Sequence, residues 1–191
     1  GVARKLDPDT NIWEVSRPVL ENWIKKNYKS ALKAFKYAAL REHPTSRLII
    51  GNMYYQGEGV EKNFQEAIRW YTLAAEKKYS WGQYNLANMY DNGQGVTEDN
   101  TEAVKWYTLA AEQGFVSAQY NLGNLYSKGL GVPQNYKTTL KWYRLAAEQG
   151  DSNAQFNLGV LYDKGKGVRQ DYKRAAKWYK LASEQSHANA Q

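Results

Sequence analysis

Apolar and small residues recur along this chain in a fixed order. Leucine or isoleucine is followed four residues later by tyrosine: Ile50 and Tyr54, Leu86 and Tyr90, Leu122 and Tyr126, Leu158 and Tyr162. A spacing of four puts both side chains on one face of a helix. A small residue leads each of these stretches, at Ser46, Gly82, Ala118 and Ala154, which suits close helix approach. A second helical stretch follows each first one. It carries Ala67, Ala103, Thr139 or Ala175, then a Trp-Tyr pair, then the alanine pairs Ala74-Ala75, Ala110-Ala111 and Ala146-Ala147, with Ala182-Ser183 as a weaker last copy. Trp70, Trp106, Trp142 and Trp178 stand 36 residues apart. Self-similarity at such a period marks a stack of supersecondary units.

The two stretches of each unit are joined by Gly-x-Gly-Val, at Gly57/Gly59/Val60, Gly93/Gly95/Val96, Gly129/Gly131/Val132 and Gly165/Gly167/Val168. The glycines predict a helix C-cap and a tight turn, and the valine a plug into the core. Asn63, Asp99, Asn135 and Asp171 predict the N-caps of the second helices. Gly114 and Gly150 end those helices, whereas Lys78 and Ser186 replace glycine in the outer copies. The tryptophans are expected to fill the same core slot in every unit.

Paired helices in tandem predict an all-α fold, an α-solenoid of stacked antiparallel helix pairs. The order of small residue, Gly-x-Gly-Val, Trp-Tyr and Ala-Ala, seen most cleanly over residues 118–150, resembles the Sel-one-like repeat (SLR), a relative of the tetratricopeptide repeat (TPR), over about residues 46–185. The resemblance implies a TPR/SLR-like superhelix that serves as an adaptor or scaffold. Residues 1–24, with G-V-A-R-K-L-D-P-D, N-I-W-E-V and R-P-V-L-E-N-W-I, resemble the C-terminal tail of the kinase-like domain in the UbiB/AarF family. That family comprises atypical kinase-like ATPases linked to ubiquinone biosynthesis. No ATP-site residue falls in this stretch, so the resemblance implies at most a regulatory or docking appendage of such an enzyme.

Three segments are therefore expected. Residues 1–26 form an N-terminal capping helix segment with the UbiB-like tail. Residues 27–45 form a degenerate half-repeat in which Asn27, Tyr28, Ala31, Phe35, Ala38 and Ala39 match Asn63, Phe64, Ala67, Tyr71, Ala74 and Ala75. Residues 46–191 hold the repeats, the last one truncated, and the chain reads as a fragment of a longer protein.

Chemistry is scarce by comparison. The Gly-x-Gly links join two helices and lack the third glycine or the Gly-Lys-Ser/Thr ending of a phosphate loop, so they read as turns. With no cysteine and two distant histidines, His43 and His187, no metal site and no cofactor are expected. No kinase signature or other catalytic constellation appears, and the chain is expected not to be an enzyme. Of the net charge of +7, residues 1–45 carry +4 and residues 154–191 carry +4, while residues 82–117 carry −4. An acidic middle argues against nucleic acid, and the basic ends suit peripheral contact with anionic lipid. No apolar run approaches the roughly 20 residues of a membrane span. The expected placement is cytoplasmic, peripheral to a membrane if the parent protein is.

The most informative positions are those that the core does not need. On the first helix of each unit, Tyr84 with Asn88, Tyr120 with Asn124, and Phe156 with Val160 form a stripe apart from the Leu/Tyr face. Asn85, Asn121 and Asn157 lie beside it. By analogy with TPR-like folds these first helices line a concave face. Rings interleaved with amides suit a bound peptide or protein, the amides bonding its backbone. Asn85, Asn121 and Asn157 equally suit the bonding of backbone groups between repeats, whereas Asn88 and Asn124, absent at Val160, point more to a ligand.

Overall fold

The computed structural model describes residues 27–41 and 43–188. The expected capping segment and UbiB-like tail lie outside the described residues. Nine α-helices and no strand occur among the described residues: α1 Tyr28–Leu40, α2 Pro44–Gln56, α3 Phe64–Glu76, α4 Ser80–Asp91, α5 Asn100–Glu112, α6 Val116–Lys128, α7 Tyr136–Glu148, α8 Ser152–Lys164 and α9 Tyr172–Ala188. Most have 13 residues and so measure about 20 Å. The fold is an all-α helical-repeat solenoid built from helix pairs. It divides into two compact units, residues 1–74 and 75–191.

In the first unit, Ala31, Phe35 and Ala39 of α1 close on Ile50 and Met53 of α2, with Val60 of the first link and Trp70 packed against them. Thus α1 has the sequence and packing of a second helix. Phe35 takes the place that Tyr71 holds 36 residues later. Arg47 is buried here. Its Nη1 donates to the Leu73 carbonyl at 2.9 Å and its Nη2 to that of Ala39 at 3.5 Å. The cation is held at the carbonyl-rich ends of α3 and α1, where helix dipoles favour positive charge.

In the second unit, α4 to α9 form consecutive pairs around two clusters. One gathers Ala103, Tyr107, Ala110 and Ala111 of α5 with Ala118, Leu122 and Leu125 of α6 and with Trp142. The other gathers Tyr143, Ala146 and Ala147 of α7 with Ala154, Leu158 and Tyr162 of α8 and with Ala175 of α9. The leucines at the start of each Leu/Tyr pair are buried, as the spacing predicts. The tryptophans differ from expectation. Trp142 is 6% exposed, but Trp70, Trp106 and Trp178 are only half-buried, and in the first three Trp-Tyr pairs the deeper aromatic is the tyrosine that follows. Tyr107 is fully enclosed. The phenol fits beneath the facing helix, while the larger indole stays at the rim of the pair.

Caps follow the sequence closely. The side-chain oxygens of Asn63, Asp99, Asn135 and Asp171 accept from first-turn amides at 2.9–3.0 Å. The two glycines of a link have separate tasks. Gly129 ends α6 in the left-handed conformation, and its amide donates to the Leu125 carbonyl at 2.9 Å. Gly131, two residues on, lies so close to the start of α5 that a Cβ would fall on the Asn100 carbonyl, and Gly167 meets Tyr136 of α7 in the same way. The last two links thus close on the preceding second helix and fix one pair against the next.

The two substituted stop positions part company. Lys78 adopts φ 60°, so the turn survives without glycine. At Ser186 the helix does not turn, and α9 runs on to Ala188 as a 17-residue helix.

Gly131 and Gly114 both have positive φ, 68° and 86°, but nothing lies within 4 Å of a Cβ at Gly114. In urea melts, Gly114→Ala is expected to cost about 1–2 kcal/mol for the left-handed conformation alone. Gly131→Ala should cost clearly more, because the Asn100 backbone must also move. Equal costs would contradict the link–helix contact.

Candidate functional site

The eight residues singled out in the sequence lie at equivalent places on α4, α6 and α8, the first helices of the second unit. Tyr84, Asn85 and Asn88 are on α4, Tyr120, Asn121 and Asn124 on α6, and Phe156 and Asn157 on α8. Each ring of the stripe rests on the tyrosine of a second helix. Centroids are 5.9 Å apart for Tyr84 and Tyr107, 5.9 Å for Tyr120 and Tyr143, and 5.3 Å for Phe156 and Tyr179. Tyr84 also packs on Phe115, which in turn meets the exposed Trp81 edge-on at 4.7 Å. Phe156 is 54% exposed.

Both asparagine series reach the buried tyrosines. The Tyr107 hydroxyl donates to Oδ1 of Asn88 and accepts from Nδ2 of Asn121 at 3.1 Å. The Tyr143 hydroxyl donates to Oδ1 of Asn124 at 2.6 Å. In the first unit the Tyr71 hydroxyl donates to Oδ1 of Asn52 at 2.8 Å. Asn85 also has an interaction partner. Asn121 therefore acts between repeats, on a phenol rather than on backbone groups. Asn88 and Asn124, expected to face a ligand, commit their carbonyl oxygens to the fold. Their amide nitrogens have no hydrogen-bond partner among the described residues.

A row of buried glutamines was not foreseen. Nε2 of Gln83, Gln119 and Gln155 donates to the carbonyls of Ala75, Ala111 and Ala147 at 3.1–3.3 Å, tying each first helix to the end of the preceding second one. Gln113 and Gln149 then donate to Oε1 of Gln83 and Gln119 at 2.6 and 2.8 Å. The Gln155 Oε1 has no partner. Its counterpart would be Gln185, which stays within the prolonged α9. The signal was present in the sequence as the recurring Gly-Gln or Ala-Gln that opens each first helix.

Asp91 extends the α4 stripe. Its Oδ2 accepts from the Tyr107 hydroxyl at 3.3 Å. Burial raises its carboxyl above the ordinary range, and the Glu98 charge adds to this. The Tyr107 bond and the Lys128 charge oppose it. Burial also raises the Tyr107 hydroxyl, which stays protonated and so can donate. No group of His, Cys, Asp and Glu side chains able to hold a metal occurs among the described residues. Because Asp91 binds its proton more tightly when folded, its charge lowers stability once pH rises through the folded-state value. Asp91→Asn should therefore raise the melting temperature at neutral pH, and the gain should fade below about pH 4. A gain that does not change with pH would contradict this.

The Sel1 repeat model matches residues 47–79, 82–115, 116–151 and 152–187. No curated protein matches the sequence. Among solved structures, the chain is 39% identical to c5321, a protective antigen of uropathogenic Escherichia coli strains with an SLR fold. That match covers 83% of this chain and 34% of the other, with a TM-score of 0.81. It is also 39% identical to a Sel1 repeat protein of Oxalobacter formigenes, over 84% of this chain and 68% of that one, with a TM-score of 0.77. Cysteine rich protein B of Helicobacter pylori shares the fold at 23% identity and a TM-score of 0.51, over 69% of this chain and 91% of that one. The chain thus spans about a third of the length of the E. coli antigen. Sel1-repeat proteins are generally protein-interaction scaffolds, typically without catalysis. On the span of the matched repeats, the chain belongs to the Sel1 repeat family.

Proposed function

We propose that this chain is a non-enzymatic scaffold that holds an extended segment of a partner protein along the face formed by α4, α6 and α8. One observation carries this reading. Asn88 and Asn124 give their carbonyl oxygens to Tyr107 and Tyr143, which fixes the side chains while no described residue takes their amide hydrogens. An amide held in place by its oxygen is a pre-oriented donor for a peptide carbonyl, with little side-chain entropy left to lose.

The spacing suits the same ligand. Donors on α4 and α6 would meet separate carbonyls of one extended segment, which advances about 3.3–3.6 Å per residue, while α8 offers Val160 in their place. Tyr84, Tyr120 and the exposed Phe156 flank this row and offer rings to the side chains between. The face repeats one chemistry and has no acid–base or nucleophilic grouping, which suits recognition of a segment rather than turnover of a small molecule.

The test is a selection of displayed random peptides on the purified chain, followed by affinity measurements on variants. Asn124→Asp keeps the acceptor for Tyr143 and removes the outward donor. It should melt near the parent temperature and bind the selected peptide more than about tenfold more weakly, as loss of a charge-opposed hydrogen bond implies. Phe156→Ala should weaken binding with little loss of stability. If no peptide is enriched, or if both variants bind as the parent does, the reading fails.

A further inference from the structure

A different face of the second unit carries a second inference. We propose that the outer side of α7 and α9 is a docking surface for an anionic lipid bilayer. Lys137, Lys141 and Arg144 on α7 are followed, 36 residues later, by Lys173, Lys177 and Lys180 on α9. Positions i, i+4 and i+7 share one helical face, and all six side chains are exposed.

The repeat supplies its own control. The equivalent places on α5 hold Thr101, Lys105 and Thr108, and those on α3 hold Gln65, Arg69 and Thr72. These helices are built on the same alanine and tyrosine core. The fold therefore does not need three cations on this face; of the extra ones on α7 and α9, Arg144 bonds within the fold, its Nη2 donating to the Tyr162 hydroxyl at 3.0 Å. Nor are the extra charges spent on ion pairs. Lys180 meets Glu184 at 3.7 Å, but Lys137, Lys173 and Lys177 have no carboxylate within pairing distance among the described residues. Glu148 and Glu184 sit at the far end of the two rows, so the positive field is strongest over the first turns of α7 and α9. There the link before α9 adds Lys166, whose Nζ lies over the Tyr136 ring, 4.9 Å from its centroid.

Lipid fits this surface better than the other polyanions. Five of the six cations are lysines, compact charges without the guanidinium fork that reads phosphates in pairs. They are spread over two neighbouring helices instead of lining a groove. The ring beneath Lys141 belongs to Trp142, which is buried and closed to base stacking. A nucleic acid continuing along the stack would next meet residues 82–117, which carry −4. At the edge of the surface Tyr172 is 66% exposed, and tyrosine sits well at the headgroup level.

Cosedimentation with phosphatidylcholine vesicles, with and without phosphatidylserine, tests this at low and raised salt. The chain should pellet only with phosphatidylserine, and less as salt screens the charges. Lys173→Glu with Lys177→Glu should weaken vesicle binding by more than about tenfold, each reversed cation losing its attraction to the leaflet. Lys33→Glu with Lys36→Glu on α1 changes net charge equally and should leave binding intact. Thermal melts verify that both variants fold. No binding at low salt, equal loss in the two variants, or stronger retention by single-stranded DNA or an acidic peptide than by the vesicles would each overturn the proposal.

Discussion

The second unit depends on a buried tyrosine hydroxyl shared between two first helices. Tyr107 is fully enclosed, so its hydroxyl must find partners inside the protein or cost stability. It finds one on each side: Asn88 on α4, within its own pair, and Asn121 on α6, in the next pair. Tyr143 repeats the bond within the pair, to Asn124. A purely apolar stack of amphipathic helices would tolerate sliding, because dispersion contacts are non-directional. A phenol that must meet two amides fixes the register of three consecutive helices at once.

In the reading proposed above, the same clasp serves recognition: Asn88 and Asn124 give their carbonyl oxygens to the phenols, and no described residue takes their amide hydrogens. The glutamine row performs the matching task at the other end of the first helices, and Gly131 and Gly167 close the remaining gap. Within the second unit, three kinds of contact thus hold one pair against the next. Where the pattern changes, the contacts change with it. Arg47 replaces the glutamine in the first unit and caps two helix ends by charge. At α9, the missing glycine leaves the Gln155 oxygen without its partner.

Much of this was legible in the sequence because it is local. The caps at Asn63, Asp99, Asn135 and Asp171, the Leu/Tyr faces and the turns at Gly-x-Gly-Val are set by residues a few places apart. The ranking of tryptophan over tyrosine failed because size alone does not decide burial. The slot beneath the facing helix accepts a flat phenol, and only the coordinates give its depth. That the eight candidate residues recur at equivalent places on α4, α6 and α8 was legible, since the 36-residue period suffices for that. Their bonding was not legible, because the partners of Asn88 and Asn121 are 19 and 14 residues away. The glutamine bonds span 30 residues and were hidden for the same reason. Lys78 and Ser186 looked alike as lost glycines, yet only the former kept the turn.

The central claim is that the tyrosine hydroxyl couples adjacent helix pairs, and a double-mutant cycle measures this directly. Tyr107→Phe, Asn121→Ala and the double variant would be unfolded in urea and compared with the parent chain. The predicted coupling between the two sites is about 1–2 kcal/mol, the worth of a buried hydrogen bond whose loss leaves a polar group unsatisfied. Additive effects, with no coupling, would contradict the account and reduce the clasp to ordinary packing.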